Sequence, residues 1–196
     1  MASETEATLL VCSEKPQQLM GEIAGLQSIG GYTLQDNGIE IIRDIYFDTT
    51  DLLLQKQKLA VLLRQINSSF KLTFKGPSRD VGKSSVKRTE IEEPWSEKAL
   101  QNVMNELESR NIKLKQHESG DANQFDYEHD PLVVLKRLGL EIIQERVTER
   151  HAKNVVVAED GRALAELALD SVTYHFGQRD IRVFEIEIEV KDGKSF

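Results

Sequence analysis

The chain has one cysteine, Cys12, so no disulfide can form within it, and this predicts a reducing, cytoplasmic setting. It has no apolar run near the roughly 18 residues that a membrane-spanning helix needs, which excludes that class. The opening MASETEATLLV carries neither a basic stretch nor a long apolar one, so no secretory signal is expected. Asn67-Ser68-Ser69 then has no secretory context in which to be glycosylated. Positive charge is also scarce: 25 Lys and Arg against 33 Asp and Glu leave a net charge of −8. That balance argues against nucleic acid or an anionic membrane as partner, although it is compatible with a local basic cavity. Tryptophan occurs once, at Trp95 after Pro94, where it reads as a packing anchor.

What the chain does have is 196 residues, 39% hydrophobic and 30% charged, enough for a single domain over residues 1–196. Three helices are marked. Leu19, Ile23, Leu26 and Ile29 recur at helical spacing after Pro16, predicting a helix over Lys15 to Ile29. Ser96 can cap a second helix whose face carries Leu100, Val103, Met104 and Leu107. A third runs from Pro131 to Leu138, between Asp130 as cap and Gly139 as stop. Most of the remainder alternates with period two, in runs near Glu4–Cys12, Ile39–Phe47, Leu59–Ile66, Phe70–Lys75, Val86–Glu93, Glu141–Arg150, Val155–Ala158, Leu164–Tyr174 and Ile181–Lys191. Such a count predicts an α+β, mainly antiparallel fold, with a closed or nearly closed sheet and a few packed helices. Lys115 to Asp130 is polar and reads as a loop.

Residues two apart on a strand share a face, so the charges sort into rows. Glu4 with Glu6, and Glu185 with Glu187 and Glu189, are purely acidic. Arg88, Glu90 and Glu92 are mixed, and Glu166 pairs with Asp170. Lys71 with Lys75 (Thr73 between them), Arg146 with Arg150, and Arg64 alone are basic. A single row is what the solvated face of a half-buried strand looks like. Rows of both signs together suit a ligand that carries metal ions and negative groups at once. Carboxylates offer hard oxygen ligands to Mg²⁺ or Mn²⁺, and Lys and Arg donate to phosphate oxygens.

In order and spacing these segments resemble the CYTH superfamily, the triphosphate tunnel metalloenzymes, over nearly the whole chain. Glu4-Thr5-Glu6-Ala7-Thr8 is similar to the family's Glu-x-Glu-x-Lys, and Tyr46-Phe47-Asp48-Thr49-Thr50-Asp51-Leu52 to its YYDTPDL. Leu59 to Arg64 and Lys71-Leu72-Thr73-Phe74-Lys75-Gly76-Pro77 resemble its ALRIR and LTLKGP strands, and Arg88-Thr89-Glu90 its Arg-x-Glu strand. Arg150, Glu166-Leu167-Ala168-Leu169-Asp170 and Glu185-Ile186-Glu187-Ile188-Glu189-Val190 resemble its tunnel arginine, ELALD and EIEVEL. Two positions depart: Thr8 stands where the family has lysine, and Leu62 where it has the first arginine of ALRIR.

The resemblance implies an eight-stranded closed antiparallel barrel, a tunnel with a polar interior, and divalent-metal-dependent hydrolysis of a small triphosphate or polyphosphate. Inorganic tripolyphosphate is the first expectation, with nucleoside or thiamine triphosphate as variants. On this reading Glu4, Glu6, Asp170, Glu185, Glu187 and Glu189 hold Mg²⁺ or Mn²⁺. Arg64, Lys71, Lys75, Arg88, Arg146 and Arg150 bind phosphate, while Glu90 and Glu92 position the attacking water or a second ion. A polyphosphate-binding module without turnover, suggested by Thr8 and Leu62, and a class IV-type adenylate cyclase are the alternatives. The chain would act as a monomer or homodimer.

Other motifs carry less. GPSRDVGKS, from Gly76 to Ser84, has the wrong glycine spacing for a phosphate-binding loop and leads into a strand, so a hairpin is expected. His117, His129, His151 and His175 lack zinc-site spacing, Asp121 and Asn123 do not complete a calcium loop, and Cys12 shows no nucleophile signature.

Overall fold

The computed structural model describes residues 2–80, 86–114, 130–157 and 161–191, the side chains of residues 2–4, 79–80 and 86–88 excepted. In chain order the elements are β1 Ala2–Leu10, α1 Pro16–Ala24, β2 Ser28–Ile29, β3 Tyr32–Thr49, α2 Leu53–Lys56, β4 Ala60–Ile66, β5 Ser69–Lys75, β6 Arg79–Asp80 and β7 Val86–Pro94. There follow α3 Glu97–Ser109, α4 Pro131–Arg137, β8 Leu140–Val156, β9 Ala163–Phe176 and β10 Arg179–Val190. The fold is α+β and rich in antiparallel strands, as expected. The loop read over Lys115 to Asp130 falls outside the described residues up to position 129, and so do His117, Asp121, Asn123 and His129.

The chain divides into two compact units. The first holds residues 1–2, 43–77 and 89–145, and the second holds 3–42, 78–88 and 146–196. The long strands β3 and β8 each contribute to both.

In the first unit the end of β3 is followed in the sheet by β4, β5 and β7. Alternation decides its two faces. Ile45 and Phe47 of β3, Val61 and Leu63 of β4, and Leu72 and Phe74 of β5 point to one side, where Leu100, Val103 and Leu107 of α3 and Val134 and Leu135 of α4 cover them. The helix caps are those the sequence offers: Ser96 Oγ accepts from the Ala99 N–H, and Asp130 Oδ1 from the Leu132 N–H. Gly139 takes positive φ just beyond α4, the usual way to end a helix. The short α2 is held from a distance. Buried Asp48 accepts at Oδ1 from the N–H groups of Thr49 and Leu54 (2.7 and 2.9 Å), and at Oδ2 from that of Gln55 (3.0 Å). In the YFDTTD segment this aspartate thus anchors a turn of helix.

In the second unit the order is β1, β10, β9, the end of β8, then the start of β3. Leu167 and Leu169 of β9 and Phe184 of β10 face Met20 of α1 on its outer side. α1 stops at Ala24, short of the predicted Ile29, because the chain turns at Gly25 and Ser28–Ile29 pairs with β3 as β2. Lys153 of β8 is fully buried and its Nζ donates to the Leu26 carbonyl at 2.9 Å, tying this turn down. β9 and β10 pair without a bulge from Ala165↔Val190 to Phe176↔Arg179. Gly177, at positive φ, makes the turn between them.

Two expectations are corrected. The runs Glu141–Arg150 and Val155–Ala158 are one strand, β8, as far as Val156, with Lys153 turned inward between them; Ala158 lies outside the described residues. The closed eight-stranded barrel is replaced, in each unit taken by itself, by a curled, half-barrel antiparallel sheet, in which β1 pairs with β7 as well as with β10.

Replacing Asp48 by Ala strands two backbone donors of α2, those of Leu54 and Gln55, together with the Thr49 N–H before it. Urea unfolding should show a loss of about 2 kcal/mol, against a few tenths at an exposed site.

Candidate functional site

The face of the first unit opposite its core is polar. Cross-strand register sets three rows: Arg64–Lys71–Pro94, Leu62–Thr73–Glu92 and Ala60–Lys75–Glu90. Directly opposed residues on a sheet lie within side-chain reach, so cations and carboxylates interleave. Lys71 Nζ donates to Glu92 Oε1 at 2.8 Å, Arg64 reaches Glu92 Oε2 at 3.2 Å, and Lys75 lies 3.4 Å from Glu90. Arg64 also grips Asp44 with two parallel bonds, of 2.8 and 3.0 Å. Burial works against the Arg64 charge, but the hydrogen bonds and charge of Asp44, with Glu92, raise its pKa above the usual arginine value. Burial likewise works against ionised Glu92, and the Lys71 hydrogen bond with the Arg64, Lys71 and Lys75 charges prevails, holding it below the ordinary glutamate range. Leu62 is 0% exposed and lies outside the apolar core cluster, so the departure from the family's arginine is a buried apolar side chain within the charged face.

The second unit has a face of the same kind. Its rows are Glu6–Glu189–Glu166, Thr8–Glu187–Ala168 and Leu10–Glu185–Asp170. Three carboxylates in one row repel unless a cation is near. Lys191 supplies one at the Glu166 end, at 2.6 Å. Arg150 supplies the next, donating to both oxygens of Asp170 (2.9 and 2.6 Å) and to Glu187 at 3.4 Å. Burial raises the Glu185 pKa, Asp170 and Glu187 add to the rise, and Arg146 and Arg150 oppose it. Thr8, opposite Glu187, brings a neutral hydroxyl where the family brings an ammonium.

The predicted site residues therefore fall into two groups. Arg64, Lys71, Lys75, Glu90 and Glu92 share one face of the first unit, and Glu6, Arg146, Arg150, Asp170, Glu185, Glu187 and Glu189 gather in the second. Glu4 and Arg88 lie on β1 and β7, with side chains outside the described set. Two partners were missed, Asp44 and Lys191. Asp44 is 1% exposed and fixes Arg64; the signal was the alternation of Asp44 and Tyr46 against Ile45 and Phe47. Lys191 donates to Glu166, which the sequence pairs with Asp170 and the register sets in the acidic row with Glu6 and Glu189.

The donor set consists of carboxylate oxygens, which suits a hard divalent ion. Among the described residues no three His, Cys, Asp or Glu converge as a preformed cage. Mg²⁺ rarely uses such a cage, taking one or two carboxylates with water and substrate phosphates, so the residues fit that ion.

The sequence model of the CYTH domain matches residues 21–195, and the chain belongs to the CYTH domain family. The match begins beyond β1, so Glu4-Thr5-Glu6-Ala7-Thr8 precedes it. Among solved structures, a protein from Pyrococcus horikoshii is 20% identical at a TM-score of 0.53, with 97% of this chain and 79% of that chain covered. A protein from Hippeastrum, described as an adenylyl cyclase candidate that reveals a dominant triphosphatase activity, is 16% identical at a TM-score of 0.52, covering 96% of this chain and 80% of that chain. At these identities the likeness is one of fold. No curated protein matches the chain. Among the described residues no helix is long and apolar enough to cross a membrane.

Because the Glu92 pKa is lowered on folding, its ionised form stabilises the fold above the unfolded-state pKa, and this is lost as pH falls through the folded value. Thermal melts of Glu92→Gln should therefore lie below wild type at pH 7 and converge with it at acid pH. A constant difference at every pH would contradict the assignment.

Proposed function

We propose that the chain is a divalent-metal-dependent triphosphatase acting on inorganic tripolyphosphate, with nucleoside or thiamine triphosphate as further substrates. Membership of the CYTH family supports this reading. The observation that carries it is the interleaving of acid and base on single sheet faces, above all Arg150 held between Asp170 and Glu187. An arginine so placed can exchange one carboxylate partner for a phosphate without being desolvated anew, and its fork matches two phosphate oxygens at once. Arg64, Lys71, Lys75 and Arg146 do the same work on other oxygens, and Arg88 joins them on this reading. The family match spans both compact units, which favours residues 1–196 acting as one domain, in the cytoplasm, as monomer or homodimer.

Hydrolysis joins a water oxygen to the terminal phosphorus and breaks the bridging P–O bond, releasing phosphate and pyrophosphate from tripolyphosphate. Glu92 accepts hydrogen bonds from that water. Its lowered pKa makes it a weak base, so it orients the water more than it removes the proton. Glu90, beside Lys75, stands next to it in the same strand. Glu4, Glu6, Asp170, Glu185, Glu187 and Glu189 are the residues that would hold Mg²⁺ or Mn²⁺, which when bound neutralises phosphate charge and acidifies water.

A second reading, binding without turnover, draws on Thr8 facing Glu187 and on buried Leu62. Phosphate release from tripolyphosphate, ATP and thiamine triphosphate, with Mg²⁺ or Mn²⁺ and a chelator control, separates the two, and an assay for cyclic AMP from ATP tests the cyclase alternative. The enzyme reading predicts chelator-sensitive release that falls about 100-fold or more in Glu187→Gln with an unchanged melting temperature. A melting temperature raised by tripolyphosphate with no release, and turnover gained in Thr8→Lys, would establish the binding module instead.

A further inference from the structure

The bulge-free pairing of β9 with β10 carries the charged face of the second unit onward to the tip of the hairpin. Beyond the Asp170–Glu185 pair the same face presents Val172 with Val183, then Tyr174 with Ile181, then Phe176 with Arg179. Its character changes from ionic to aromatic within about 13 Å, the rise of four strand residues. The Tyr174 and Phe176 rings stack, with centroids 6.4 Å apart and planes inclined by 19°. Phe176 is 54% exposed and Ile181 53%, a large apolar surface left open to water. On the opposite face the tip is braced by polar pairs: His175 with Asp180 at 2.8 Å, and the Arg182 Nε–H donated to Thr173 at 3.3 Å. The platform is therefore backed by a well-bonded hairpin.

A cation lies on the way to it. β8 and β9 form a hairpin, closed by the Val157 N–H to Arg162 carbonyl bond, so stepping back along β8 means stepping forward along β9. Arg146, four residues before Arg150, thus lies on the Tyr174 side of it. A ligand that follows this face meets arginines and carboxylates first, and stacked aromatic rings at the end.

We propose that Tyr174, Phe176 and Ile181 form a stacking platform for the planar heterocycle of an organic triphosphate, a nucleobase above all, whose phosphates lie among Arg146, Arg150 and the carboxylate row. The proposal rests on the triphosphate reading given above and names the substrate class that distinguishes this chain within it. The cations and the rings select the occupant: the polyanionic end belongs beside Arg146 and Arg150, and the flat apolar end on Tyr174 and Phe176. Base–aromatic stacking tolerates any base, so the platform adds affinity for nucleoside triphosphates as a class, a contribution that bare tripolyphosphate cannot draw on.

The test is binding of ATP and of tripolyphosphate to the full chain by calorimetry, with KM from phosphate release alongside. The variants are Phe176→Ala, Tyr174→Ala and the ring-preserving Phe176→Trp. The expected result is a Kd for ATP weakened about tenfold in Phe176→Ala, within about twofold of wild type for tripolyphosphate, and kept in Phe176→Trp. Equal weakening for both ligands, or an unchanged Kd for ATP in both alanine variants, overturns the platform while leaving the triphosphate reading intact. A wild-type dimer that Phe176→Ala dissociates, with ATP binding unaffected, assigns the patch to a second copy and also overturns it. If the wild-type chain binds neither ligand, the triphosphate reading falls and takes the platform with it.

Discussion

Carboxylates that face one another across a sheet repel, and in a half-buried setting water cannot fully screen them. The second unit places Glu6, Glu189 and Glu166 in one line and Glu185 beside Asp170 in another. Arg150 and Lys191 reach into those lines and offset part of that repulsion. The cations are thereby fixed in orientation and partly desolvated before any ligand arrives. An incoming polyanion changes which acid each base faces, so the charge balance that stabilises the unit is the same balance a phosphate chain would disturb. In the first unit Arg64 is held on one side by Asp44, while Lys71 and Lys75 face carboxylates across the sheet, at Glu92 and Glu90. Arg64 is accordingly the rigid member of that group.

The two departures from the family pattern act differently. Thr8 removes a charge next to Glu187 and leaves Arg150 as the cation that reaches this carboxylate. Leu62 replaces a charge by apolar volume that is fully enclosed, beside Thr73 and one row from Arg64. The first alters electrostatics and the second alters space.

Elements whose signal is local were legible in the sequence. α3 shows its cap, Ser96, and its apolar stripe side by side, and α4 lies between Asp130 and Gly139. Elements fixed by distant partners were not. α2 is capped by Asp48 from six residues upstream and entered through Leu52 in the left-handed region, which no propensity rule favours. The start of β3, rich in Gln35, Asp36, Asn37 and Gly38, has no apolar alternation and is strand because it pairs. In the site, charged residues two apart stood out, so the rows were found. Asp44 was hidden because its role lies in a bond to Arg64, twenty residues away. Which rows share a unit depends on how β3 and β8 pass between units, and that has no trace in local pattern.

The unbroken register of β9 and β10 has a consequence for how such a sequence can change. Side chains alternate, so one inserted or deleted residue between Glu166 and Phe176 would turn every later side chain of that strand over. With the change just after Glu166, Asp170 would be pressed beneath α1, where Leu167 and Leu169 now pack, and those leucines would line the ionic face. Exchanges of residue along this hairpin are absorbed one position at a time, whereas a change of length alters a whole strand at once. Length is free to vary at the turn around Gly177, between the paired Phe176 and Arg179, because a longer turn leaves the register on both strands unchanged.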